Sequence, residues 1–232
     1  MNDVYELVEE NEHFLVIYKK PDTNFHSENG ERGLFETVKQ TLQLSELYPV
    51  HRLDKVTSGL LVMAKTAKVN QELVDQFKHR RIQKYYIALS AKKPKKKQGL
   101  VKGDMGAARR GAWKLLSSHD NPAVTQFFSF SMGEGKRVYL VKPHTGKTHQ
   151  IRVALKSIGA PILGDALYAD AVSCNGIDRV YLHAYSIGFS LSGKDYRFTE
   201  LPREGNTFLT REFAFAMEPY LSPWLLQWPR LP

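Results

Sequence analysis

The sequence predicts an α+β fold, a mixed and largely antiparallel sheet flanked by helices. Strand-sized apolar runs outnumber helical stripes, and the two kinds of element follow one another in mixed order. Hydrophobic residues make up 42% of the 232 positions and charged residues 25%, enough to bury a real core. The longest apolar runs, Phe14 to Tyr18 and Gly59 to Ala64, are strand-sized and far too short to span a bilayer. No internal repeat or obvious linker splits the chain, so a single domain over residues 1–232 is expected.

The elements follow in order. Val4–Glu9 and Phe14–Lys19 read as short strands around a polar turn at Glu10–Glu12. Leu34, Phe35, Val38 and Leu42 share one face of a helix reaching about Leu44. A loop then carries His51–Asp54, and Thr57-Ser58-Gly59 leads into the strand Leu60–Ala64. Val69, Leu73 and Phe77 mark a second helix with Thr66 as its N-cap, and Lys84–Ser90 is the next strand. Residues 92–111 are basic, glycine-containing and poorly periodic, which predicts a loop or mobile hairpin. Strands resume at Val124–Phe130 and Arg137–Lys142. A helix opening near Lys147 carries the stripe Ile151, Ala154, Leu155 and Ile158, and Gly159 and Pro161 stop it. Val180–Phe189 is a late strand. The tail after Pro223, with Trp224 and Trp228, is expected to pack against the body.

Charge narrows the function. The net charge is +9, yet Lys78 to Lys114 alone holds thirteen Lys or Arg against one acid, Asp104. That is the footprint of a polyanion partner, and the clusters Lys78–Lys84, Lys92–Lys97 and Arg109–Lys114 point to nucleic acid over a merely solvated loop. Cys174 is the only cysteine, which excludes an internal disulfide and cysteine-pair zinc sites and fits a reducing cytoplasm. The polar N-terminus has no signal-peptide character, and no membrane partner is expected.

Asp54 sits in His51-Arg52-Leu53-Asp54, directly before an apolar strand. By itself it reads as a turn cap for Thr57 or Ser58. Flanking Arg52 and Lys55 favour the ionised carboxylate, the form able to act as a nucleophile. His149, Arg152 and Lys156 fall at i, i+3 and i+7, a basic helix face, after the polar turn Pro143–Thr148 that suits an anion. His51, His149 and His183 have no recognised metal-ligand spacing, so no metal is expected.

Taken together, these segments resemble the RluA-type pseudouridine synthases. His51-Arg52-Leu53-Asp54-Lys55-Val56-Thr57-Ser58-Gly59-Leu60-Leu61 is similar to that family's signature loop, and Lys84-Tyr85-Tyr86-Ile87-Ala88 to its Lys-x-Tyr-x-Ala strand. Thr145-Gly146-Lys147-Thr148-His149-Gln150-Ile151-Arg152 resembles its Thr-Gly-Arg-Thr-His-Gln-Ile-Arg segment. Gly159 to Asp165, Tyr168 and Leu182-His183-Ala184 follow in the family's order, and Lys20-Pro21 fits its opening. The likeness covers about residues 10–190, and ordered co-occurrence is far more specific than any one short motif. Lys147 departs from the usual arginine, keeping charge but losing the planar fork, and Ala154 replaces a frequent histidine.

The resemblance implies a pseudouridine synthase catalytic fold with a central cleft. It also implies an RNA-modifying isomerase that needs no cofactor. Asp54 would be catalytic, either by attack on the uracil ring or by assisting base departure at C1′. Tyr86 would stack on the base and take the C5 proton, and Arg152 would ion-pair with Asp54. Leu182 would wall the base pocket, and Arg52 would enter the space left by the flipped uridine. Lys147 and His149 of the turn, with Lys84, Lys92, Lys93, Arg109 and Arg110 of the basic stretch, would contact RNA. With the first strand at Val4, no S4-type N-terminal domain fits, and a monomer acting on a ribosomal or transfer RNA stem-loop is expected. Two rivals share these residues. One is a non-catalytic RNA chaperone, against which the intact set Asp54, Tyr86 and Arg152 argues. The other is an N-glycoside hydrolase, which wants a second carboxylate, with Asp165 the nearest candidate although it reads as a structural turn residue.

Overall fold

The computed structural model describes residues 4–28, 30–94, 96–229 and 231. Lys95, part of the basic run, lies outside them. Along the chain the strands and helices are β1 (Tyr5–Glu10), β2 (Phe14–Lys19), α1 (Leu34–Thr41), β3 (Tyr48–Pro49), β4 (Ser58–Ala64), α2 (Ala67–Lys78) and β5 (Gln83–Ser90). There follow β6 (Gln98–Gly103), β7 (Met105–Ala107), β8 (Trp113–Leu115), β9 (Ala123–Gly133), β10 (Lys136–Pro143), α3 (Gln150–Ser157) and α4 (Ala171–Cys174). The last are β11 (Leu182–Leu191), β12 (Lys194–Thr199) and α5 (Arg211–Met217). Every strand pair whose register is described is antiparallel, so the fold is the α+β class expected. No helix among the described residues is long and apolar enough to cross a membrane.

The chain divides into two compact units, Met1–Gln83 with Ala184–Leu201, and Lys84–His183 with Pro202–Pro232. The first has strand order β1-β2-β4-β11, with β3 on β4 and β12 on β11. Its core gathers Phe14, Val16, Leu60, Val62, Ile187 and Phe189 from the sheet with Val69 and Leu73 of α2. Burying each such side chain is worth about 1.5–3 kcal/mol. Phe14 meets the Phe189 and Tyr196 rings edge-on at 5.1 and 4.9 Å, geometry that favours the ring quadrupoles. Strand β12 is absent from the sequence reading, which ends at Phe189. The turn that creates it has Ser192 and Gly193 at φ 50° and 77°, the two left-handed positions of a tight hairpin.

The second unit has strand order β5-β10-β9-β6 and a separate hairpin, β7-β8. Here the expected loop or mobile hairpin at 92–111 is corrected in part, since residues 98–103 form β6 on β9, with Val101 opposite Thr125, while β7 and β8 do form a hairpin. Two glycines hide this strand from a periodicity reading. A Cβ at Gly99 would come within 3.1 Å of Phe127, and one at Gly103 within 2.6 Å of the Leu116 carbonyl, so of the three inward positions only Val101 carries a side chain to mark the alternation. The basic arm beyond is a hairpin turning at Arg109–Gly111, with Arg110 at φ 57°.

Helix ends obey local rules. Thr66 caps α2 by accepting from the Val69 amide at 3.2 Å, as its sequence position predicts. Helix α1 stops at Thr41 because Gln43 turns left-handed at φ 52° and the Leu44 amide bonds back to the Lys39 carbonyl. Arg80 does the same after α2 and Gly159 after α3. Only the last is a residue whose type announces the turn. The tail packs as expected, with the Trp224 ring 5.0 Å from Tyr85, edge-on, and the Trp228 ring 5.7 Å away.

Candidate active site

The loop carrying Asp54 is held from inside the first unit. Lys19 ends β2 fully buried, and its ammonium donates to the Lys20, Lys55 and Thr57 carbonyls at 3.0, 2.8 and 2.8 Å. Three charge-assisted bonds satisfy every N–H of a buried cation. The Thr57 amide donates to the Asp54 carbonyl at 3.0 Å and closes the turn. Upstream, His51 stacks on Phe77 at 4.8 Å and its Nε2 accepts from the Val62 amide at 3.1 Å. His51 is therefore a brace of the loop. Downstream, Gly59 has φ 109°, and a Cβ there would meet the Ala184 carbonyl oxygen at 2.3 Å, so only glycine fits where the loop enters β4. Within this frame Asp54 is partly exposed and Arg52 is exposed.

Replacing Lys19 by methionine leaves three inward-facing carbonyls without their donor. We expect a stability loss of about 2–4 kcal/mol by denaturant titration and a fall in turnover larger than the fall in RNA affinity.

In the second unit, Tyr86 lies on β5 opposite Val141 of β10, half-buried. Its neighbour Tyr85 is buried among Trp224 and Trp228, and strand alternation turns Tyr86 to the other face. Leu182 opens β11, buried, and its carbonyl accepts from Arg179 Nη2 at 3.4 Å. Arg179 is itself buried and also donates to the Val180 and Glu204 carbonyls.

Helix α3 begins at Gln150, not near Lys147, because His149 takes the left-handed conformation at φ 55° and ends the preceding turn. Gln150 organises that turn. Its carboxamide oxygen accepts from the Thr145 hydroxyl and the Lys147 amide, and its nitrogen donates to the Val124 carbonyl and Thr125 hydroxyl. Lys147 and His149 thus lie on the turn, and His149 Nδ1 is 2.8 Å from the Tyr168 hydroxyl. The expected basic face of His149, Arg152 and Lys156 does not form. Lys156 is exposed, whereas Arg152 is only 6% exposed.

Arg152 is locked by a partner that sequence reading set aside. Its Nε and Nη2 donate to Asp165 Oδ2 and Oδ1 at 2.7 and 2.8 Å, a bidentate pair with Asp165 1% exposed. The guanidinium also lies 4.9 Å from the Tyr168 ring centre. Both Asp165 oxygens face the guanidinium, which leaves none aimed at a substrate. The second carboxylate that a glycoside hydrolase needs is therefore not supplied by Asp165.

The family model described as RNA pseudouridylate synthase matches residues 13–157, a span that includes the Asp54 loop, the Tyr86 strand and Arg152. The chain belongs to the RNA pseudouridine synthase family. The synthase is 44% identical to an uncharacterized RNA pseudouridine synthase of Haemophilus influenzae, over 94% of this chain and 96% of that one. It is 30% identical to a ribosomal large subunit pseudouridine synthase C of Vibrio vulnificus, over 89% of this chain and 67% of the relative. Its fold matches the human RNA pseudouridylate synthase domain containing 1 with a TM-score of 0.71 at 23% identity, covering 84% of this chain and 82% of that one. The family reaction, isomerisation of uridine within RNA, is this enzyme's reaction.

The basic residues are distributed over the second unit. Lys84 reaches the Thr145 carbonyl at 3.3 Å, and burial lowers its ammonium from the ordinary 10.5 to about 8. Because the folded value lies below the unfolded one, the buried charge costs stability below pH 8, and the cost fades as pH rises from 8 towards 10.5. Denaturation midpoints of the synthase are expected to rise across that window relative to Lys84→Met. Lys92, Lys93, Arg109 and Arg110 are exposed. Lys19, Gln150, Asp165 and Arg179 are the site-building residues that sequence reasoning missed. Asp165 carried a signal in its Gly-Asp turn and Gln150 in the motif it shares with Arg152, whereas Lys19 and Arg179 carried none. A lysine closing an apolar strand normally reads as solvated.

Proposed function

We propose that this synthase converts one or a few uridines of a ribosomal or transfer RNA stem-loop to pseudouridine, with Asp54 as the catalytic carboxylate. The observation that carries the reading is the braced loop, in which a buried ammonium and a stacked histidine hold the backbone on either side of Asp54. Such pre-organisation is what a reacting carboxylate requires, because a loose loop loses effective concentration at the reacting carbon.

In the reaction the C1′–N1 bond breaks, the uracil turns, and a C1′–C5 bond forms. The C5 proton leaves and N1 regains one, so no redox change and no cofactor are involved. Asp54 acts either by adding to the uracil ring or by assisting departure at C1′. Tyr86 stacks on the uracil and takes the C5 proton. Arg152 is assigned as the ion-pair partner of the carboxylate, the role that the family resemblance gives it, and within its own unit the guanidinium is anchored by its bidentate bond to Asp165. Leu182 walls the base, and exposed Arg52 fills the stack vacated by the flipped nucleotide, offsetting a few kcal/mol of unstacking. The 232 residues act as one catalytic domain, as a monomer in the cytoplasm.

The test is a transcriptome-wide pseudouridine map of wild-type cells, a deletion strain, and the deletion complemented with Asp54→Ala. Sites missing from both of the latter identify the substrate and the carboxylate together. Sites restored by Asp54→Ala would remove Asp54 from catalysis.

The lysines before β6 supply affinity through phosphates. Tyr139 donates to the Lys92 carbonyl at 2.8 Å and the Ser129 amide to the Lys97 carbonyl at 2.6 Å, so Lys92 and Lys97 are tied to the sheet through their backbones while Lys92, Lys93, Lys96 and Lys97 are exposed. Neutralising Lys92, Lys93, Lys96 and Lys97 is expected to reduce the slope of log affinity against log salt by roughly 2 to 3. Single-turnover rates at saturating RNA should stay within about threefold of wild type. An unchanged slope would exclude these lysines from the interface.

A further inference from the structure

Beside the turn that opens α3 lies a cleft of about 460 Å³, within the range of about 300–1,000 Å³ usual for small-ligand sites. Its walls come from the β7-β8 hairpin (Met105, Trp113), the segment after it (Asp120, Asn121) and the turn (Lys147, Thr148). None of the residues assigned to the reaction lines it. Trp113 is half-buried in its wall, and its indole has no ring neighbour and no hydrogen-bond partner among the described residues, although its backbone amide is held by the Tyr168 hydroxyl at 2.9 Å. The platform is therefore fixed through its backbone while its indole lines the cleft.

The polar groups around it divide by charge. Asp104 is committed, because its carboxylate accepts from the Asp120 and Asn121 amides at 3.0 and 2.8 Å and so shapes the far wall. The side chains of Asp120 and Asn121 make no such commitment and stand exposed beside the indole. Lys147, on the turn before α3, adds a cation to the lining. An aromatic ring that shares a cleft with a carboxylate and an ammonium on different segments suits a ligand with a flat ring, hydrogen-bond donors and an anionic group.

We propose that this cleft binds one unpaired nucleotide of the RNA substrate other than the uridine that reacts, with its base on Trp113, its phosphate at Lys147 and its Watson–Crick edge at Asp120 and Asn121. This inference rests on the RNA-modifying reading and deepens it, since the site selects sequence where the lysine run does not. A carboxylate accepts only, so guanine, adenine and cytosine, which present an amino group, bind in preference to uracil, whose one ring N–H sits between two carbonyl oxygens.

The test is titration of the full chain with GMP, AMP, CMP and UMP, followed by ligand-observed NMR. Base–aromatic stacking predicts that Trp113→Ala weakens GMP binding by about tenfold, whereas Trp113→Phe holds it within about threefold. Asp120→Asn is expected to abolish the preference of the amino bases over UMP. The proposal is overturned if none of the four nucleotides binds in the millimolar range, if Trp113→Ala binds GMP as wild type does, or if UMP is preferred. These titrations need no turnover. Failure of the isomerase reading would instead appear as unmodified RNA, with Trp113-dependent nucleotide binding intact.

Discussion

Asp54→Asn is expected to abolish pseudouridine formation, lowering single-turnover conversion by about 10⁴-fold or more, the scale set by removal of a nucleophile in other enzymes. The substitution keeps volume and hydrogen-bonding capacity but removes the charge. RNA affinity should change by less than about threefold, because phosphate contacts elsewhere dominate it. The backbone of the loop should keep its bracing, since it is held through the Lys20, Lys55 and Thr57 carbonyls by Lys19 and through the Asp54 carbonyl by the Thr57 amide. Conversion measured on RNA carrying a tritium at C5 of uridine checks the claim, because isomerisation releases that hydrogen to water. Tritium release near the wild-type rate would place the chemistry on another residue.

The second large effect concerns Arg152 and Asp165. Removing one partner of a buried ion pair strands the other charge, which costs about 3–5 kcal/mol. Asp165→Leu should therefore unfold at markedly lower denaturant, and Arg152→Met should do the same. The double variant, with both charges gone and side chains of similar bulk in place, should regain most of that loss. It should nevertheless remain inactive, because the cation assigned to Asp54 is gone. Chemical denaturation of the four proteins, with single-turnover conversion on each, separates these outcomes. A double variant that converts uridine would show that Arg152 serves the fold alone.

Much of the fold was readable residue by residue. The strand Phe14–Lys19, the Thr66 cap and the Gly159 stop appear where propensity and capping rules put them, because each depends on neighbours a few positions away. The misreadings share a cause. Strand β6 escaped because two of its three inward positions are glycines, Gly99 and Gly103, whose absence of a side chain is dictated by Phe127 and Leu116. Helix α3 begins at Gln150 because His149 turns left-handed, and the turn before it is held by the Gln150 carboxamide through Thr145, Lys147, Val124 and Thr125, a network that no periodicity displays.

What the sequence determined by itself was the kind of chemistry: a single loop carboxylate, a basic stretch that fits a polyanion, and motifs in an order that chance does not supply. What only the tertiary structure decided was how those groups are held. Lys19 looks like any strand-end lysine until the carbonyls of residues 55 and 57 fold over its ammonium, and Asp165 looks like a turn residue until Arg152 meets it from thirteen positions away. Burial of a charge is worthwhile only when partners remote in the chain satisfy every one of its hydrogen bonds, and that condition is a property of the folded geometry.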